Sequence, residues 1–73
     1  MANEVARVTE ISARSSESFE DALQAGIARA TATLRGVKSA WVKEQSVEIG
    51  TDGAISSYQV NLLVTFILDD TSG

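Results

Sequence analysis

The order of apolar and polar residues along the chain predicts one helix and three strands. Residues 4–12 alternate in polarity, as expected for a strand with one buried face. Residues 16–34 instead repeat apolar positions with a helical period, and residues 38–49 and 55–68 return to strand patterns. The predicted order of elements is therefore β-α-β-β.

The predicted helix carries one stripe of apolar and small residues. Its members are Phe19, Ala22, Leu23, Gly26, Ile27, Ala30 and Leu34. Ser15 and Ser16 offer hydroxyl caps before the helix, and Glu17 is placed in the first turn, where a carboxylate favours the helix dipole. Gly26 weakens a helix, so we expect it to allow close approach of the sheet. Gly36 is the expected stop, in the left-handed conformation.

The last two strands form a predicted hairpin, with positive φ angles expected at Gly50, Asp52 and Gly53. One face of the third strand carries Tyr58, Val60, Leu62, Val64, Phe66 and Leu68, which should pack on the helix. The opposite face carries Gln59, Asn61, Leu63, Thr65 and Ile67. The predicted fold class is α+β, with one amphipathic helix packed on a curled three-stranded antiparallel sheet.

Composition narrows the possible functions. The 73 residues predict a single domain over 1–73, with a frayed tail at 70–73. The absence of cysteine and histidine removes disulfides, thiolate and imidazole catalysis, and ordinary zinc or haem sites. A net charge of −4 argues against nucleic-acid binding. No apolar run is long enough to cross a membrane, and we expect a cytoplasmic protein. Without histidine or cysteine, catalysis would rest on carboxylates, Lys43, Tyr58 or a bound cofactor, so we expect a non-enzymatic protein.

The lengths of the elements favour assembly of several copies. A strand of about 14 residues spans roughly 46 Å, whereas a helix of about 19 residues spans only about 29 Å. One helix therefore leaves part of the hairpin uncovered. The second face of the sheet is also partly apolar, with Trp41, Val47, Ile49, Leu63 and Ile67 assigned to it. We expect other copies of the chain to bury some of this surface.

From Arg7 to Asp69 the chain resembles the dodecins, which assemble as hollow homododecamers. The segment SSESFEDALQAGIARATATLRGV is similar to the dodecin helix, in particular at Ser18-Phe19 and at Ala28-Arg29-Ala30 followed by Thr33. EQSVEIG and YQVNLLVTFILDD are similar to the two hairpin strands. The resemblance implies a homododecamer that stores small molecules.

The resemblance also implies a flavin site, with one departure. Flavin-binding dodecins stack the isoalloxazine on a tryptophan and contact its edge with a glutamine, which matches Gln59 here. An ungapped alignment puts the family's tryptophan at Ser39, with Trp41 two residues later. Serine has no π-face, so binding of riboflavin, FMN or FAD should be weakened or altered. Trp41 either fills an interface or takes over the stacking. The candidate ligand-binding residues are Ser39, Trp41, Gln45 and Gln59, with both glutamines expected on the face of Trp41.

A second branch of the family lacks the flavin tryptophan and is described as calcium-binding. SAWVKEQ resembles that branch at Ala40, Val42, Glu44 and Gln45, and the chain resembles it more than the standard flavin binders. Calcium prefers oxygen ligands, yet no EF-hand pattern is present. The carboxylates near the hairpin are Glu44, Glu48 and Asp52, and the sequence does not identify the ligands of a cation.

Overall fold

The computed structural model describes residues 3–68 and contains one helix and three strands. They are β1 (Ala6–Ser15), α1 (Phe19–Thr33), β2 (Val37–Ile49) and β3 (Ile55–Ile67). The strand order is β1-β3-β2, and both pairings are antiparallel. The predicted fold, with one helix on a three-stranded antiparallel sheet, is confirmed. The tail predicted at 70–73 lies outside the described residues, and within them no helix is long and apolar enough to cross a membrane.

The start of α1 differs from the prediction. The cap is Ser18, whose Oγ accepts a hydrogen bond from the Asp21 backbone N–H at 2.9 Å. Ser15 and Ser16, the predicted caps, precede the helix, and so does Glu17. Ser15 is the last residue of β1; its Oγ accepts from the Glu17 N–H at 2.8 Å and donates to Asp21 Oδ2 at 2.6 Å. The pairing of β1 extends further than predicted, so the helix starts later.

Small residues carry the contact between α1 and the sheet. The buried positions of α1 are Ala22, Gly26 and Ala30, each one turn after the last. A Cβ on Gly26 would lie 3.1 Å from Ala13 Cβ and 3.1 Å from Leu62 Cδ1. These distances are tighter than ordinary van der Waals contact. The expectation that Gly26 allows a close approach of the sheet is confirmed.

The core lies between α1 and the middle of the sheet. The buried residues from β3 are Val60, Leu62 and Val64. Leu23 is half-buried and packs against them, but Ile27 is 37% exposed and borders an open groove beside β2. Burial of Ile27 was therefore wrongly predicted, because α1 contacts β1 and β3 more extensively than β2. Leu68, predicted on the packed face, follows the end of β3 and is exposed.

Glycine determines the backbone at two connections. Gly36 has φ +72°, and it follows α1 as predicted. In the hairpin loop only Gly53 has a positive φ, at +84°. The positive φ predicted for Gly50 and Asp52 is wrong, because hydrogen bonds close this loop instead. The Gly50 N–H donates to the Ala54 carbonyl at 2.8 Å, and the Ala54 N–H donates to Asp52 Oδ1 at 3.0 Å.

The chain is elongated. It measures 58 × 19 × 13 Å, and its radius of gyration is 15.5 Å. A compact domain of this length would have a radius of gyration of about 11 Å. The 15 residues of α1 span only about 22 Å. Much of the long hairpin therefore lies beyond the helix.

Enlarging residue 26 should destabilise the protein. We expect Gly26→Val to lower the free energy of unfolding by about 1–3 kcal/mol, because the side chain would meet Ala13 and Leu62. Denaturant unfolding at a fixed chain concentration measures this change. The control is Ala28→Val on the exposed side of α1, which should cost only about 0.5–0.7 kcal/mol through helix propensity. Equal losses in the two variants would contradict the close contact.

Candidate ligand-binding site

A β-bulge in β2 determines which side chains share a face of the sheet. Val42 pairs with Leu62 and Glu44 pairs with Asn61, which leaves Lys43 as an extra residue. Before the bulge, the odd-numbered positions from residue 39 onwards point away from α1; after it, the even-numbered positions do so. We call the side of the sheet away from α1 the outer face. Its members are Ala6, Val8, Glu10, Ser12, Arg14, Ser39, Trp41, Glu44, Ser46, Glu48, Ser57, Gln59, Asn61, Leu63, Thr65 and Ile67.

The bulge places Gln45 on the opposite side from the other three candidate residues. Gln45 pairs with Val60 and Val47 pairs with Tyr58, which puts both on the helix side of the sheet. The predictions that Gln45 shares a face with Gln59 and Trp41, and that Val47 lies on the second face, are therefore wrong. The physical reason is the extra residue, since one insertion in a strand reverses every later side chain.

Ser39 and Trp41 lie next to each other on the outer face, as predicted. Ser39 pairs with Thr65 and Trp41 pairs with Leu63. Trp41 is 72% exposed in the single chain. We call this part of the outer face the apolar end. It consists of Ala6, Val8, Trp41, Leu63 and Ile67.

The other part of the outer face carries Gln59 in a hydrogen-bond chain, which we call the amide chain. Arg14 Nη2 donates to Gln59 Oε1 at 2.9 Å, and Gln59 Nε2 donates to Asn61 Oδ1 at 3.2 Å. Asn61 Nδ2 then donates to Glu44 Oε1 at 3.3 Å. Ser12 Oγ adds a 2.6 Å hydrogen bond to Asn61 Oδ1. Apart from Gln59 itself, sequence reasoning did not find this chain, because the chain depends on the pairing of β1 and β2 with β3.

A single chain does not bring Trp41 and Gln59 together. The partner of Trp41 on β3 is Leu63, four residues from Gln59, which corresponds to about 13 Å along the strand. Between them an ion pair crosses the sheet, with Lys43 Nζ 3.2 Å from Glu10 Oε1. A ligand that touches both residues must span this distance or lie between copies of the chain.

The carboxylates of the outer face each have a partner on another strand. Glu10 pairs with Lys43, and Glu48 lies 3.7 Å from Arg14. Glu44 accepts the last hydrogen bond of the amide chain. Among residues 3–68, no three acidic side chains cluster in a way that would hold a metal ion. Glu10 and Glu48 each lie against a cation, whereas the partner of Glu44 is a neutral amide, so these five groups leave one net negative charge on the outer face.

Comparison with known proteins identifies the family. The family model for dodecins matches residues 5–69, and the chain belongs to this family. No curated protein sequence matches the chain significantly. Dodecins are non-enzymatic proteins that form homo-oligomers and bind small ligands.

Solved structures of dodecins are similar over nearly the whole chain. A variant of the Thermus thermophilus dodecin is 40% identical, with a TM-score of 0.85, covering 93% of this chain and 100% of its own. The Streptomyces davaonensis dodecin is 36% identical, with a TM-score of 0.88 and coverages of 94% and 100%. The Mycobacterium tuberculosis calcium dodecin, described as calcium chelating with a novel calcium-binding site, is 28% identical, with a TM-score of 0.78 and coverages of 92% and 94%.

Removing Asn61 should weaken the sheet measurably. We expect Asn61→Ala to lower the free energy of unfolding by about 1–2 kcal/mol, because this half-buried amide makes three side-chain hydrogen bonds. Guanidinium unfolding at a fixed chain concentration is the measurement. Ser46→Ala, an exposed outer-face position beside Gln59, is the control and should change stability by less than about 0.5 kcal/mol. An Asn61→Ala variant as stable as this control would show that the amide chain does not stabilise the sheet.

Proposed function

We propose that this protein is a cytoplasmic homododecameric shell that binds and sequesters a small ligand between subunits. In this proposal flavin is a weak or altered ligand, because Ser39 stands where the resemblance places the stacking tryptophan. The observation that carries the proposal is the composition of the outer face. It combines an exposed tryptophan with a glutamine that belongs to an ordered polar group.

Exposed apolar surface supports the assembly. Val5, Val8, Trp41, Ile49 and Ile55 are each at least half exposed in the single chain. Large exposed apolar groups at this density are typical of protein interfaces. The buried core is small, and the radius of gyration exceeds that of a compact domain. Covering this surface with other copies would supply stability that a domain of this size lacks alone.

Trp41 has two candidate roles, stacking on a ligand and packing between subunits. Stacking contributes much of the binding of a planar ring, and Ser39 cannot provide it. Trp41 lies on the same face, but about 13 Å along the sheet from the level of Gln59. Because the proposed ligand lies between subunits, this distance does not decide whether a ring stacks on Trp41. We assign Trp41 to the interface between subunits because it is exposed in the single chain and tryptophan is enriched at interfaces.

Calcium or another cation is the second candidate ligand. The resemblance of SAWVKEQ to the calcium-binding branch and the structural similarity to the Mycobacterium tuberculosis protein favour it. The carboxylates of the outer face oppose it, because Glu10, Glu44 and Glu48 already have partners on other strands. A cation would have to displace these partners before it gained its oxygen ligands. Glu44, whose partner is a neutral amide, is a single carboxylate, and calcium sites use several oxygen ligands, so we rank a planar ligand above a cation.

The flavin part of the proposal is tested by fluorescence titration with riboflavin, FMN and FAD. We expect weak quenching with the unaltered protein and an affinity increase of about tenfold in Ser39→Trp, which restores an aromatic platform. Ala28→Trp is the control, because it adds the same ring on the exposed side of α1, away from the outer face. Tight binding by the unaltered protein, abolished by Trp41→Ala with the assembly intact, would assign the stacking to Trp41. Calcium binding measured by calorimetry, without flavin binding, would favour the second candidate.

The assembly is tested by light scattering. Twelve copies of the 7.7 kDa chain give a particle of about 92 kDa. We expect this mass at micromolar concentration, and we expect Trp41→Ala to shift the distribution towards smaller species, because it removes a large apolar side chain from the interface. A mass of one or two chains for the unaltered protein would overturn the proposed shell.

A further inference from the structure

The hairpin loop between β2 and β3 carries the pair Asp52-Gly53, and both residues are exposed. Apart from the chain neighbours of Gly53, no atom of the described residues lies within 4 Å of the position that a Cβ on Gly53 would take. The space beside Gly53 is therefore open, and no side chain of its own hinders its backbone nitrogen. Such a nitrogen can attack the carboxyl carbon of the aspartate that precedes it.

The reaction that this pair permits conserves the atoms of the chain. The Gly53 nitrogen gives up its proton and forms a bond to Cγ of Asp52, while one carboxyl oxygen leaves as water. The product is a succinimide. Water then adds to the main-chain carbonyl carbon of Asp52, the bond from that carbon to the Gly53 nitrogen breaks, and an isoaspartyl linkage remains. The water lost in the first step is regained in the second, so the conversion needs no oxidant or reductant.

Hydrogen bonds of the loop hold both reacting groups. The Gly53 N–H donates to the Gly50 carbonyl at 2.9 Å, and Asp52 Oδ1 accepts from the Ala54 N–H at 3.0 Å. Ring closure needs the proton of Gly53 to leave and Cγ of Asp52 to move onto the nitrogen. Both hydrogen bonds must therefore open first. Local openings of this kind cost least in exposed loops.

We propose that Asp52 is a modification site, which converts to isoaspartate at a rate set by the opening of the hairpin loop. In the isoaspartyl form the main chain runs through Cβ of residue 52, so the backbone before Gly53 is longer by one carbon. The loop can then no longer close with the same hydrogen bonds. The end of the hairpin, where Ile49 pairs with Ile55, loses its closure. The inference does not depend on the proposed ligand.

Gly50 provides the room that the Asp52 carboxylate occupies. Its φ is not positive, so the backbone does not require a glycine here. A Cβ on Gly50 would instead lie 3.1 Å from Asp52 Oδ1, which is tighter than ordinary van der Waals contact. Gly50→Ala should therefore displace the carboxylate and weaken its hydrogen bond to Ala54.

The site is tested by incubating the full-length protein at mildly alkaline pH. Isomerisation leaves the mass unchanged, so the fragment that a Glu-specific protease releases after Glu48 is separated by chromatography, and its isoaspartate is located by electron-transfer fragmentation. We expect isoaspartate at residue 52 in the chain unfolded by guanidinium. In the folded protein it should form about tenfold more slowly, because two hydrogen bonds must open. Asp69 and Asp70, which bulkier residues follow in the same fragment, are the internal reference.

A loop variant tests whether the hydrogen bonds set the rate. We expect Gly50→Ala to speed the reaction of the folded protein by about threefold to tenfold, with an unchanged rate in guanidinium. Thr51→Ala, an exposed position in the same loop, is the matched control and should react at the unaltered rate. The inference is overturned by any of three results: no isoaspartate at residue 52 in the unfolded chain, equal rates in the folded and unfolded protein, or a Gly50→Ala rate equal to that of the control.

Discussion

The close contact between α1 and the sheet, made across small residues, is the interaction on which the rest of the structure depends. Ala22, Gly26 and Ala30 bring the helix backbone close enough for β3 to supply the buried side chains. Such a contact is narrow, because small residues cover little area. The helix therefore lies over β1 and β3 and leaves β2 largely uncovered. The close packing of α1 against β1 and β3 therefore leaves most of β2 exposed in the single chain.

A three-stranded sheet with a helix on one side has a second face to bury. Here one part of that face is apolar and the other part is polar. The apolar end around Trp41 and Leu63 gains from losing water. The polar part around Gln59 and Asn61 keeps its groups paired within the chain, so covering it leaves few unsatisfied donors or acceptors. The proposed function uses this face both for contacts between subunits and for the ligand. The central ion pair between Lys43 and Glu10 divides the two regions.

The sequence predicted the four elements, the hairpin and the close approach of α1 to the sheet at Gly26. Each of these depends on the spacing of apolar residues along the chain or on the size of one residue. It misplaced the helix cap, since the run of serines before Phe19 offers several equivalent hydroxyls and only the end of β1 selects Ser18. It misplaced Gln45 because alternation alone does not reveal an extra residue in a strand. Most of the amide chain could not be predicted from the sequence either. Its members lie on three strands, and only the pairing of those strands brings them within hydrogen-bond distance.

The bulge at Lys43 also separates residues 39–42 of β2 from residues 44–48. Ser39 and Trp41 precede it, and Glu44, Ser46 and Glu48 follow it, yet all of them face the same side. A ring can be gained, lost or moved by two positions in the first half without changing how the second half meets Gln59 and Asn61. Under the proposed function, a change of ligand preference at residues 39 and 41 would leave the hydrogen bonds of Asn61 and Gln59 unchanged. The proposed displacement of the stacking tryptophan from position 39 to position 41 is a substitution of the kind that such a division permits.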